Sequence, residues 1–271
     1  SNLNVLIGNG EDALIAFNSI GISGLTFDNL NYLASYGDLL TAFGSDISAA
    51  RAHYFTDGIS EGRSFDSFDE ASYLASHEDL LTTFGANSTS ALLHYVETGY
   101  SEGRSKDSFD ENSYLASNTD LLTVFGSNSN LATEHYINNG FTEGRFTDSF
   151  NELSYIASHP DLLSQFGIDD GAAATAHYVE IGFSSGKAID TFDEYGYIAS
   201  YDDLISAFGT DTLSATKHYI SFGKLEGRLT NLFDAESYLN NYADLKNIFG
   251  NDLDSAKKHF VEYGFNEGRI G

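Results

Sequence analysis

The chain has 271 residues, 41% of them hydrophobic, which is enough for a folded core and excludes a disordered tail. Asp and Glu number 40 against 13 Lys and Arg, a formal net charge of −27 that repels phosphate backbones and anionic membrane surfaces, so nucleic acid is excluded as a partner while divalent cations are favoured. Cys, Met and Trp are absent, which removes disulfides and thiolate metal sites, and no apolar run approaches the roughly 18 residues of a membrane span, so a soluble chain that is not membrane-inserted is expected.

Residues 1–26 hold Val5, Leu6, Ile7, Leu14, Ile15, Phe17, Ile20 and Ile22 interleaved with glycines, and read as a short strand-like segment. No charged-then-apolar leader stands there, and Ser1 reads as a cut start within a longer protein. Within the segment, Ile7-Gly8-Asn9-Gly10-Glu11-Asp12-Ala13-Leu14-Ile15 resembles one turn of the glycine-and-aspartate nonapeptide of RTX proteins, a type-I-secreted calcium-binding family. That resemblance implies a calcium site at Gly8, Gly10 and Asp12, although Ile7 replaces the first glycine and no second nonapeptide follows.

From residue 27 the chain repeats itself. The pattern F-D-x-x-x-Y-[LI]-A-S-x-x-D-L-[LI]-x-x-F-G, then A-x-x-H-Y-x-x-x-G-x-x-E-G-R, occurs six times, with its aromatic marker at Tyr32, Tyr73, Tyr114, Tyr155, Tyr197 and Tyr238. The spacing is 41 except for one interval of 42 near Asp170 and Gly171, a period characteristic of solenoids and arrays. The repeats are assigned to residues 27–63, 64–104, 105–145, 146–187, 188–228 and 229–271.

Each repeat is predicted to hold about three short helices. Ser67-Phe68-Asp69-Glu70 and its counterparts at Ser108, Ser149 and Thr191 match the reciprocal capping box and predict a first helix. A second box at Ser35/Asp38, Ser76/Asp79, Ser117/Asp120, Ser158/Asp161 and Ser200/Asp203, varied to Asn241/Asp244, predicts a second helix that stops at glycines such as Gly85; Pro160 sits favourably just inside one such start. A third helix is expected from about Ser88 to Val96, ended by Gly99. Isolated helices shorter than about 12 residues are marginal in water. Side chains such as Tyr73, Leu80, Phe84 and Tyr95 must therefore be covered by adjacent repeats, with the end repeats weakest. In the last copy Leu232 and Ala235 replace capping residues and Asn240 replaces alanine, as expected of a terminus.

The helical unit, with its Tyr-Leu-Ala-Ser-x-x-Asp-Leu-Leu and His-Tyr-x-x-x-Gly-x-x-Glu-Gly-Arg elements over residues 27–269, resembles a repeat of large secreted bacterial RTX-type or surface-layer-like proteins. The resemblance implies type I secretion, a cell-surface or matrix location, calcium nearby, a role in surface layers or adhesion, and no catalytic residues.

Three residue groups are candidate sites. His53, His94, His135, His177, His218 and His259 recur, but no second ligand type recurs one helical turn away, so a hydrogen-bonded structural role is favoured over a metal ladder. Arg63, Arg104, Arg145, Arg228 and Arg269, with Lys187 in the fourth repeat, are expected to pair with the helix-start aspartates Asp38, Asp79, Asp120, Asp161, Asp203 and Asp244; reading an anionic sugar is the alternative. The fourth repeat should be the exception, because Ser185 also replaces glutamate there. The carboxylates Asp66, Asp69, Asp107 and Asp110 supply the oxygen ligands calcium prefers, though helix-start duty explains most of them.

The expected protein is therefore an all-α, solenoid-like array with a strand-like amino-terminal segment, a non-enzymatic scaffold at a bacterial surface whose partners are copies of itself. The alternative is a calcium-dependent adhesin for glycan or lipopolysaccharide, a cell-surface polysaccharide stacking on Tyr36, Tyr100, Phe141, Phe183, Tyr201 or Tyr242.

Overall fold

The computed structural model describes residues 28–270, among which helix is the only regular structure. Residues 1–26, expected from sequence to be strand-like and holding the proposed calcium residues Gly8, Gly10 and Asp12, lie outside the described residues. In the second repeat, helices span Glu70–Ala75, Glu78–Phe84 and Ser88–His94, and the last runs directly into a wide π-helical turn, Tyr95–Gly99. Similar units recur along the chain, with first helices at Asn29–Ser35, Glu111–Ser117, Glu152–Ser158, Glu194–Ala199 and Ala235–Asn241.

Capping sets the boundaries, two residues later than expected. The first helix is capped by Asp69, whose carboxylate accepts from the amides of Ala71 (2.9 Å) and Ser72 (3.0 Å); Ser67 lies outside the helix. Asp28 also accepts from two amides, and Asn151, Asp193 and Asp234 cap their helices by accepting from one, so the last repeat has a side-chain cap despite Leu232 and Ala235. At Asp69 the carboxylate prevails over the Ser67 hydroxyl because it accepts two amide hydrogens at the positive end of the helix dipole. The second helix begins at His77 with no side-chain cap and ends at Gly85, whose φ of +59° and ψ of −147° only glycine adopts readily.

The third helix widens at Tyr95 and its π turn closes at Gly99, the expected end; a Schellman turn at Gly103 (φ +72°) follows, with the Arg104 amide donating to the Gly99 carbonyl (3.0 Å) and the Gly103 amide to the Tyr100 carbonyl (3.0 Å). The fourth repeat departs from the pattern. Its second helix is reduced to a 3₁₀ turn, Leu162–Ser164, after Pro160. The added residue creates a local turn in which the Asp170 carboxylate accepts from the Gly167 amide (2.7 Å), and Gly167 is not among the glycines with positive φ that end this helix in other repeats.

The core of each repeat is built on consecutive tyrosine and leucine or isoleucine. Tyr32, Tyr73, Tyr155, Tyr197 and Tyr238 are fully buried, as are Leu33, Leu74, Ile156, Ile198 and Leu239 one residue later. Each such aliphatic side chain contributes about 1.5–3 kcal/mol on burial. Phenylalanines ahead of the first helix stack on the first ring of the π turn: Phe68 on Tyr95 and Phe109 on Tyr136 at 4.7 Å, Phe192 on Tyr219 at 4.8 Å.

The chain divides into two compact units, Ser1–Glu111 with Asn128–Arg145 and Asn112–Ser127 with Phe146–Gly271. In the first, helices Asn29–Ser35 and Glu70–Ala75 pack against the third helix and π turn of the following repeat, Ser88–Gly99 and Ser129–Gly140. In the second, Glu152–Ser158 and Glu194–Ala199 do the same with Thr212–Gly223 and Leu253–Gly264.

Candidate functional site

The recurring polar residues assemble into three devices. In the first, the Arg104 guanidinium, presented by the Schellman turn, reaches the start of the second helix and donates to both carboxylate oxygens of Asp79 (2.9 and 2.8 Å). Its Nε donates to Glu102 (2.6 Å), so a carboxylate closes each side of the plane. Arg63 is held by Asp38 and Glu61, Arg228 by Asp203 and Glu226, and Arg269 by Asp244 and Glu267, in matching geometry. Arg145 is joined to Glu143 (2.6 Å). Lys187 donates from its single nitrogen to both Asp161 oxygens (3.1 and 2.8 Å), with Ser185 in place of the second carboxylate.

These hydrogen bonds hold Asp38, Asp79, Asp161, Asp203 and Asp244 below the ordinary carboxylate range and raise Arg63, Arg104, Arg228 and Arg269. Asp79 is largely solvent-exposed, so screening limits its pair to about 1 kcal/mol or less. The clamp's role is orientation.

The second device is a clasp. The Ser76 hydroxyl does not cap the second helix; it donates back to the Ser72 carbonyl (2.7 Å) and accepts from the amides of Ser108 (2.7 Å) and Phe109 (3.1 Å) in the next repeat. Ser35, Ser117, Ser158 and Ser200 receive the amides of Ser67, Ser149, Thr191 and Leu232 in the same way. The residue after the serine adds a second tie at Ser76, Ser117 and Ser200: His77 Nε2 is 2.9 Å from the Ser105 carbonyl, Asn118 donates to the Phe146 carbonyl (2.9 Å), and the Tyr201 hydroxyl accepts from the Leu229 amide (2.7 Å).

The third device is internal. The Tyr73 hydroxyl hydrogen-bonds Nδ1 of His94 (2.9 Å), and it lies where a side chain on Gly99 would project. Gly99 is therefore required for space, not for φ. Tyr155, His177 and Gly182 repeat the arrangement, as do Tyr197, His218 and Gly223. Burial pushes the Tyr73 and Tyr155 phenols up to about 12.

The calcium candidates stand apart from these devices. Asp69 is a helix cap, while Asp66 and Asp107 are exposed and accept at their main-chain carbonyls from Ser64 (2.9 Å) and Ser105 (2.8 Å). Asp110 immediately precedes helix Glu111–Ser117. Glu70 is pushed up by burial, with Asp66, Asp69 and Asp28 adding to the effect. Among the described residues no three or more His, Asp or Glu are grouped so as to hold a metal ion. The proposed sugar platforms are engaged inside the protein: Tyr36, Tyr201 and Tyr242 lie under the guanidinium groups of Arg63, Arg228 and Arg269 at 4.8, 4.8 and 4.7 Å, and the Tyr100 hydroxyl bonds Thr41 (2.7 Å). Phe141 and Phe183 are half-buried against Tyr136 and Tyr178.

Sequence reasoning missed the clasp and the second carboxylate of the clamp. The serine recurs at every 41 or 42 residues up to Ser200, which is a signal, but its proximity to an aspartate three residues on mimics a capping box. No family model, curated protein or solved structure matches the chain.

Proposed function

We propose that the chain is a non-enzymatic structural module, a solenoid-like array of six roughly 41-residue repeats that self-assembles in a secreted bacterial surface layer, filament or matrix. One observation carries this reading. The polar groups that recur are engaged with one another, in the same geometry from repeat to repeat, as Arg63, Arg104, Arg228 and Arg269 with their paired carboxylates illustrate. A catalytic pair of carboxylates needs a setting of its own that separates the two pKa values. Asp38, Asp79, Asp203 and Asp244 instead share one setting and one direction of shift. Packing of a first helix on the third helix of the following repeat supports the stacked array, and the resemblance of the repeat motif supports the extracellular setting.

Electron microscopy and light scattering of the purified chain, with and without calcium, test the proposal. Ordered assemblies without added glycan are expected. A persistent monomer that binds polysaccharide in a calcium-dependent way would replace the scaffold with an adhesin.

A further inference from the structure

The segment 222–232, at the junction of the fifth and sixth repeats, carries more exposed large apolar side chains than the corresponding segment of any other repeat. Phe222, Leu225, Leu229 and Leu232 are 59%, 87%, 55% and 54% exposed. The same register positions hold Asp57, Ser60, Ser64 and Ser67 in the first repeat and Thr98, Ser101, Ser105 and Ser108 in the second, while the third and fourth repeats each expose one large apolar side chain there, Phe146 and Ile181, and the sixth exposes Tyr263 and Ile270. Only here are all four positions large and apolar, while the surrounding Glu-Gly-Arg turn, the clamp and the clasp are kept. A packing reason is absent, because these side chains face water. Large apolar side chains that stay exposed within one short segment of a folded protein mark an interaction surface.

The backbone under the patch is fixed in advance. The Leu229 amide donates to the Tyr201 hydroxyl (2.7 Å), the Leu232 amide to Ser200 (2.9 Å), and the Phe222 ring lies against His218 at 5.8 Å. Little main-chain ordering is therefore lost when the patch is covered. Its flanks carry charge of the minority sign. Lys217 and Lys224 bracket Phe222 in sequence, are exposed, and form no ion pair among the described residues, whereas Arg63, Arg104, Arg228 and Arg269 are all clamped. At the position of Lys224 the other repeats place Ile59, Tyr100, Phe141, Phe183 and Phe265.

We infer that this patch docks onto the acidic surface of a second copy of the chain. Exposed apolar side chains accompanied in sequence by two unclamped lysines fit a partner that is acidic, and this chain carries a net charge of −27. Two copies of the patch facing each other would oppose lysine to lysine, so the contact is heterologous, joining different surfaces of the two molecules. Heterologous contacts that do not close produce open chains or layers. The inference rests on the self-assembly reading and specifies where copies meet.

Sedimentation velocity over a concentration series of the full 271-residue chain tests it. The wild type is compared with Leu225→Asp/Leu229→Asp and with Lys217→Glu/Lys224→Glu, using circular dichroism to confirm that each is folded. The wild type is expected to gain mass with concentration, and both double variants to need at least ~10-fold more protein for the same mass. Variants that assemble like the wild type would overturn the patch while leaving self-assembly standing. A wild type that stays monomeric at every concentration removes the self-assembly reading and the patch with it. Patch-dependent retention of such a monomer on an amino-sugar polymer would assign the surface to a glycan instead.

Discussion

The second and fourth repeats share an interior and differ in their outer fastening. Both bury a tyrosine whose hydroxyl meets a histidine beside a glycine, Tyr73 with His94 and Gly99, Tyr155 with His177 and Gly182. Both clasp the next segment through a serine, Ser76 or Ser158. Yet the second helix, seven residues long at Glu78–Phe84, shrinks to Leu162–Ser164, and a guanidinium held by two carboxylates becomes a lysine held by one. The repeat tolerates loss of half its second helix and half its clamp, so neither is what holds it together. The buried tyrosine and the serine clasp are what the two keep in common.

The largest effect is therefore expected at the glycine. Gly99→Ala or Gly182→Ala drives a methyl into the tyrosine hydroxyl and should cost about 3 kcal/mol in either repeat, from overpacking and disruption of the tyrosine–histidine hydrogen bond. Urea denaturation measures it, and a tolerated substitution in the fourth repeat alone would break the comparison. Next is the clasp. Ser76→Ala strands the amides of Ser108 and Phe109, and Ser158→Ala those of Thr191 and Phe192, each costing ~1–2 kcal/mol with faster amide exchange at those positions.

The clamp ranks third. Arg104→Lys should lose no more than about 1 kcal/mol, and Lys187→Arg should gain less unless Ser185→Glu restores the second carboxylate. A double variant no more stable than Lys187→Arg would show that the second carboxylate contributes nothing.

Titration separates core from clamp. Asp79 and Asp161 have folded pKa values below their unfolded ones, so their stabilisation is present above about pH 3.9 and is lost as pH falls through the lower folded values. Tyr73 and Tyr155 are raised to about 12, so they favour the folded state below about pH 10 and that contribution disappears between there and about 12. Thermal midpoints across pH should show a shallow acid limb and a steeper alkaline one.

Helical class was legible in the chain because apolar spacing, turn glycines and carboxylates at helix starts agree with one another. Boundaries were less so. Ser67 and Asp69 both qualify as caps, and only the folded backbone shows that Asp69 is placed to accept two amides. Ser76 misled for a different reason: its partners, Ser108 and Phe109, lie 32 and 33 residues on, and no local rule reaches that far. The recurrence of Arg104 and Asp79 at a fixed separation of 25 residues is visible in sequence, whereas the Glu102 contact depends on the Schellman turn bringing i and i+2 side chains to one side. The patch at Phe222 to Leu232 needed both views. Sequence shows the polar-to-apolar exchange, and only coordinates show that it faces solvent.

Neighbour contact as the source of stability is tested most directly by far-ultraviolet circular dichroism of residues 64–104 alone, set beside the whole chain. The isolated repeat is expected to have little helix and no cooperative melt, because its first helix, Glu70–Ala75, lacks Ser129–Gly140 to pack on, while the whole chain melts cooperatively. Native-like helicity with a cooperative transition in the single repeat would contradict the account.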